Sequence, residues 1–299
     1  MRKLTAIVPL FCLAISACGG KDNSGNAAAS KQFTYGPASP ADSTQAGALQ
    51  GSLSSLTSLQ SAPDVSSAAS LVLFSGVTDN MVGADAFSVA APAVAAQRNA
   101  LARARSAALY SPTNYGTDFD NPECVTVTST SVSLSGCKLT VTETSSSETA
   151  TVTVTADGSV TLSNGNQTLT WDLTLAVSVT ASGTGGSVSG GGQFHAAGDL
   201  TVLAPTATAE GSVKGSMTSE ASLHASAGGE SISMRVDESL HIDVTYQTSP
   251  STCVTGGTVE AKRVFADWSV PNVSRPSDKG AKITFTSGGC NTGTIQISI

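Results

Sequence analysis

The stretch TATAEGSVKGSMTSEASLHASA, residues 206–227, decides how the rest of the chain is read. Its odd positions carry Ala207, Ala209, Gly211, Val213, Gly215, Met217, Ala221, Leu223 and Ala225. Its even positions carry Thr206, Thr208, Glu210, Lys214, Thr218, Glu220, His224 and a run of serines. A period of two is the mark of a β-strand with one packed and one wetted face. The packed face is mostly Gly and Ala, so large side chains from neighbouring strands or another layer must fill it.

The same alternation runs on either side. Leu169, Trp171, Leu173, Leu175, Val177 and Val179 form the apolar face of a preceding segment. Val188, Gly190, Gly192, Phe194, Ala196, Gly198, Leu200 and Val202 form that of the next, and Ile232, Met234, Val236, Leu240, Ile242, Val244 and Tyr246 supply a fourth. Upstream, VTVT, KLTVTE and TATVTVTA also alternate, with Asp157-Gly158 and Asn164-Gly165 reading as turns. Gly228-Gly229 is a good hairpin turn and pairs Ala227 with Glu230. That register sets Met217 beside Leu240, Gly211 beside Tyr246 as aromatic cover, Lys214 beside Asp243, and Glu220 beside Asp237 with Arg235 on the diagonal. A turn at Ala204-Pro205 would set Phe194 beside Gly215 and Gly192 beside Met217. The expected fold is mainly β: a large antiparallel meander of long strands, as an open curved sheet, half-barrel or sandwich. Aromatic girdles are absent and the apolar face is small-residue, which argues against membrane-spanning strands.

Residues 1–17 read as a signal peptide: Arg2 and Lys3, then an apolar run from Leu4 to Ile15 too short to span a bilayer. It ends in Ile15-Ser16-Ala17-Cys18, which resembles the lipobox of bacterial lipoproteins. That resemblance covers only this end of the chain. It implies diacylglycerol on the Cys18 thiol, cleavage before it, and a membrane partner through the lipid anchor. Gly19, where many inner-membrane members carry Asp, favours the outer membrane of a bacterial cell envelope. Residues 18–45 are small, polar and Pro-punctuated, and read as a disordered tether reaching roughly 30 Å.

Residues 46–115 read as a helical segment docked on the sheet. Leu49, Leu53, Leu56 and Leu59 recur at helical spacing, Pro63-Asp64 open a second candidate, and Ala91–Leu109 is the longest. The β domain then occupies 116–299 and packs with the helices as one unit. Removing Arg2 and Lys3 takes the 15 basic residues to 13 against 22 acidic, a charge of −9. That balance excludes nucleic acid as a partner. After processing, Cys124, Cys137, Cys253 and Cys290 remain; in an exported chain they read as two disulfides, with proximity favouring 124–137 and 253–290.

Chemistry-bearing constellations are thin. The chain has 3 histidines, His195, His224 and His241, all on wetted faces, and no metal or cofactor is expected. Asp172, His195, Lys214 and Asp243 are expected in one lateral row, a surface charge ladder and not the seed of a triad. Glu238 is the one charge on its strand's apolar face and reads as a bulge or an exposed edge. No nucleophile elbow, Walker loop, dinucleotide fingerprint or H-E-x-x-H occurs. The expected role is non-enzymatic: a structural or binding lipoprotein whose partner is lipid or another envelope protein, with an envelope hydrolase as the remotest alternative. The alternative is a carrier of lipid or apolar ligands, with Trp171, Phe194, Met217, Met234, Leu240 and Tyr246 lining a groove. In architecture alone that alternative resembles periplasmic lipoprotein carriers and their outer-membrane receptor.

Overall fold

The computed structural model describes residues 25–41, positions 47, 50, 53, 56 and 57, and residues 119–298 apart from breaks at 145–147, 164, 166, 184–185, 228, 249–251 and 287–294. Cys18, Cys290, the signal peptide and the helix expected at Ala91–Leu109 lie outside the described residues.

The described strands form one 11-stranded antiparallel sheet rather than a sandwich. In chain order they are β1 (Ser39–Pro40), β2 (Val125–Val127), β3 (Ser131–Thr144), β4 (Glu148–Ser163), β5 (Thr168–Gly183) and β6 (Gly186–Leu203), followed by β7 (Gly211–Ala227), β8 (Glu230–Gln247), β9 (Cys253–Ser269), β10 (Lys279–Phe285) and β11 (Ile295–Ser298). From β2 to β11 each strand pairs with the next, and β1 returns to lie beside β11; β1 and β2 are the edges, so the sheet is open.

The hairpin β7–β8 has the register that Gly228-Gly229 dictates, from Ala227 opposite Glu230 to Gly211 opposite Tyr246. Lys214 Nζ lies 3.1 Å from Asp243 Oδ1. The conflict between Glu220 and Asp237 is relieved as the diagonal suggested: Arg235 Nη2 donates to Glu220 Oε2 and Arg235 Nε to Asp237 Oδ1, both at 2.8 Å.

Two turn readings are overturned. The chain does not reverse at Ala204-Pro205; residues 204–210 form a longer loop in which Thr206 Oγ1 accepts from the N–H groups of Thr208 and Ala209. Threonine offered the backbone a local partner there, so the strand begins only at Gly211. The β6–β7 register therefore sets Phe194 opposite Ala221, Gly192 opposite Leu223, Gly198 opposite Met217 and Leu200 opposite Gly215. An even shift leaves every side chain on its expected face. Asp157-Gly158 sits inside β4, across from a bulge in β3 between Leu134 and Cys137. Gly158 has φ +123°, and a Cβ there would run into the Asp172 carbonyl, while the Asp157 carboxylate accepts the Gly136 N–H. The dipeptide serves a bulge instead of a turn.

Rows across the sheet show what fills its small-residue face, called here the inner face. One row reads Val160, Trp171, Gly198, Met217, Leu240, Ala261 and Ala281. The next reads Leu162, Leu169, Leu200, Gly215, Ile242, Val259 and Ile283. Glycines alternate with bulk: a Cβ on Gly198 would lie 2.6 Å from Trp171 Cζ2, and one on Gly211 2.5 Å from Tyr246 Cε1. Gly47, Gln50, Leu53 and Leu56 are helical, and both leucines join the main core with exposures of 0% and 2%. The Gln50 side chain exchanges two hydrogen bonds with the Val254 backbone, which fixes this position over the start of β9.

Residues 25–41 are not a free tether. Helix α1 (Ala27–Ser30) packs on β8 and β9, capped by Asn26, whose side chain accepts the Ala29 N–H. Beyond it the chain reaches the sheet edge as β1, and Ala41 packs against the inner-face core. The physical reason is local: Phe33 fills the space a side chain at Gly280 would take. Residues 25–41 thus form a strap that crosses the outer face, rounds the β11 edge and reaches the inner face.

Candidate functional site

Of the six residues expected to line a groove, Trp171, Leu240 and Tyr246 are buried in the main core at 4%, 5% and 1% exposure. Phe194 and Met217 are partly buried and pack against it, and Met234 is half-buried beside Leu223. Trp171, Met217 and Leu240 share one row, Phe194 lies four residues along β6 from Gly198 of that row, and Met234 and Tyr246 sit near opposite ends of β8. Their separation along that strand is about 40 Å by strand rise. The six therefore line a face, not a single concave pocket.

That face is divided by a polar row. Ser219, Glu238, Arg263 and Lys279 are cross-strand neighbours between the main core and a smaller cluster built on Leu175, Val177, Val179 and the Cys124–Cys137 pair. Arg263 Nε donates to Glu238 Oε1 at 2.6 Å, and Ser219 Oγ donates to Glu238 Oε2 at 3.3 Å. Arg263 is 1% exposed. Glu238 is thus neither a bulge nor an edge residue: register is continuous through it, and its charge is matched from β9. Arg263 was invisible in the sequence because Glu260-Ala-Lys-Arg puts charge on both faces and hides the period.

The strap forms the other constellation. Asn26 Nδ2 donates to the carbonyls of Ser219 (2.9 Å) and Glu238 (3.2 Å), and the Ala27 N–H donates to Asp237 Oδ2 at 2.6 Å. Asp237 is fully buried, holding both Arg235 and the strap. Lys31 pairs with Asp278, and Tyr35 donates to Glu260 Oε1 at 2.6 Å. Burial, then the hydrogen bond and charge of Glu260, push the Tyr35 phenol above its ordinary value. Burial would raise the Asp278 carboxyl, but hydrogen bonds from Lys31, the Phe265 N–H and Arg275, with the Arg275 charge, outweigh it and lower its pKa. Two aromatics at i and i+2, Phe33 and Tyr35, were the available signal that this segment docks.

Cys124 and Cys137 are disulfide-bonded with Cα atoms 5.1 Å apart, tying the 3₁₀ turn Pro122–Cys124 to the β3 bulge. Cys253 is disulfide-bonded too; the partner expected for it, Cys290, is outside the described residues. On the outer face, His195 Nε2 lies 2.8 Å from Asp172 Oδ1, with Thr174 and Glu220 as cross-strand neighbours. Lys214 and Asp243 do not share that row. Lys214 lies opposite Thr201, six residues from Glu220, about 20 Å along the strand. His224 lies opposite Ser233 and His241 opposite Ser216, and no group of metal-ligating side chains occurs among the described residues. No described helix is long and apolar enough to cross a membrane. Compared with known proteins, the chain matches no family model, no curated protein and no solved structure.

Proposed function

We propose that the protein is a lipid-anchored lipoprotein of a bacterial cell envelope, with a non-enzymatic structural or binding role. The anchor reading rests on Ile15-Ser16-Ala17-Cys18 behind a short apolar run. The choice of role rests on one observation: the main core on the inner face is filled by the protein's own side chains. Trp171 lies over Gly198, Tyr246 over Gly211, and Leu53 and Leu56 are buried in the same cluster. Close packing of this kind leaves little to gain from an apolar cargo. The carrier reading keeps one support, the half-buried Phe194, Met217 and Met234 on that face. The acyl chains on Cys18, at ~0.8 kcal/mol per buried methylene, would hold the protein at the outer membrane. Fractionating cells that produce the full chain and its Cys18→Ser variant tests the anchor. Native protein sediments with membranes and its N-terminal peptide carries the mass of acyl chains. Equal partitioning of native protein and variant would refute it.

A further inference from the structure

We infer that the anchor holds the sheet lying over the bilayer, its outer face at β7–β9 toward the lipid, and not standing on one end. This rests on the lipid-anchor reading above. The strap is pinned at the middle of the long strands: Asn26 bonds the carbonyls of Ser219 and Glu238, and Ala27 bonds Asp237. β7 runs from Gly211 to Ala227 and β8 from Glu230 to Gln247, so Ser219 and Glu238 lie about eight residues from either end. At ~3.3 Å per residue each end is about 26 Å from the pin. From Cys18 to Asn26 the chain advances eight residues, and fully extended it spans at most about 28 Å. Standing on end would therefore need this chain stretched straight along the outer face, at a large cost in conformational freedom. Any shorter path keeps both strand ends off the lipid, and the strip of outer face around β7–β9, where the leash begins, lies nearest it.

Charge does not set this orientation. Around the pin Arg235 is matched by Glu220 and Asp237, Lys262 by Glu260, and Lys31 by Asp278. The partner is a lipid surface held close by a short leash, and zwitterionic lipid suffices. The geometry turns the opposite, inner-face side of the domain, where Leu53 and Leu56 are buried, toward other envelope components.

The test uses full-length acylated protein in phosphatidylcholine vesicles carrying a headgroup quencher. One fluorophore is attached in each of three variants: Ser216→Cys, on the outer face near the pin, and Ser226→Cys and Thr208→Cys, at opposite ends. Mass spectrometry of the N-terminal peptide is read first; an unmodified Cys18 refutes the anchor reading and this inference with it. With Cys18 acylated, quenching strongest at Ser216→Cys supports the inference, and equal or stronger quenching at either end overturns it while sparing the anchor. Inserting a Gly/Ser run of about twenty residues after Gly20 should abolish the difference. If the difference survives, the leash is not its cause and the inference falls.

Discussion

Gly198→Ala tests the packing of the inner face where a glycine meets both an aromatic ring and the neighbouring backbone. A Cβ at residue 198 would sit 2.6 Å from Trp171 Cζ2 and 3.0 Å from Met217 Cα, and closer still to the Ser216 carbonyl oxygen. The indole can move, but the two backbone atoms belong to β7, which is hydrogen-bonded on both sides. Forcing a methyl into such a space costs about 1–3 kcal/mol. Alanine also stiffens the unfolded chain, which returns about 0.4–1 kcal/mol. Because backbone must shift, the net loss should be about 2 kcal/mol, or roughly 4–8 °C in melting temperature for a domain of this size. Thermal melts followed by circular dichroism read it directly. The double variant with Trp171→Phe should recover only part of the loss, since Ser216 and Met217 remain in the way. A melting temperature equal to or above that of the native protein would refute the claim that neighbouring bulk fills this row.

Leu53→Ala removes a fully buried side chain from the main core and should cost about 2–5 kcal/mol, seen as a lower urea midpoint. Cys137→Ser opens a disulfide that closes 13 residues of sequence and should cost about 3 kcal/mol, with β2 and the 3₁₀ turn losing amide protection first. The strap should have both an alkaline and an acid limit. The Tyr35 phenol is raised in the folded state, so its contribution is full below its unfolded value of 10.0 and is lost as pH climbs through the higher folded value. The Asp278 carboxyl is lowered, so its contribution is full above 3.8 and is lost as pH falls through the lower folded value. Limited proteolysis within residues 25–41 across pH reads both limits, and Tyr35→Phe should remove the alkaline one alone.

How legible these features were follows from their physics. The β7–β8 pairing could be read from one glycine turn, because period two fixes the face and the turn fixes the partner. At Ala204-Pro205 the chain does not turn as that pattern suggests, because the Thr206 hydroxyl offered the backbone a competing local structure. Asp157-Gly158 misleads in another way, since a dipeptide suited to positive φ serves a bulge as well as a turn. Cys124 and Cys137 were readable from proximity alone. The strap was not, since its hold on the sheet is made of single long-range hydrogen bonds from Asn26, Lys31 and Tyr35, which leave no period in the sequence. The Glu238–Arg263 pair was half legible: an isolated carboxylate on an apolar face announced itself, while its partner was hidden among charges on both faces of β9.

Whether the protein itself fills the inner-face core decides between a structural role and a carrier. Native mass spectrometry of residues 19–299, secreted behind an ordinary leader and purified without detergent, is the direct measurement, because it retains the strap and omits the acyl chains. A single species at the mass of the polypeptide with two disulfides, with no lipid in an organic extract, is the predicted result. A stoichiometric lipid bound to the folded protein would contradict it, and would make the face carrying Phe194, Met217 and Met234 a cargo site.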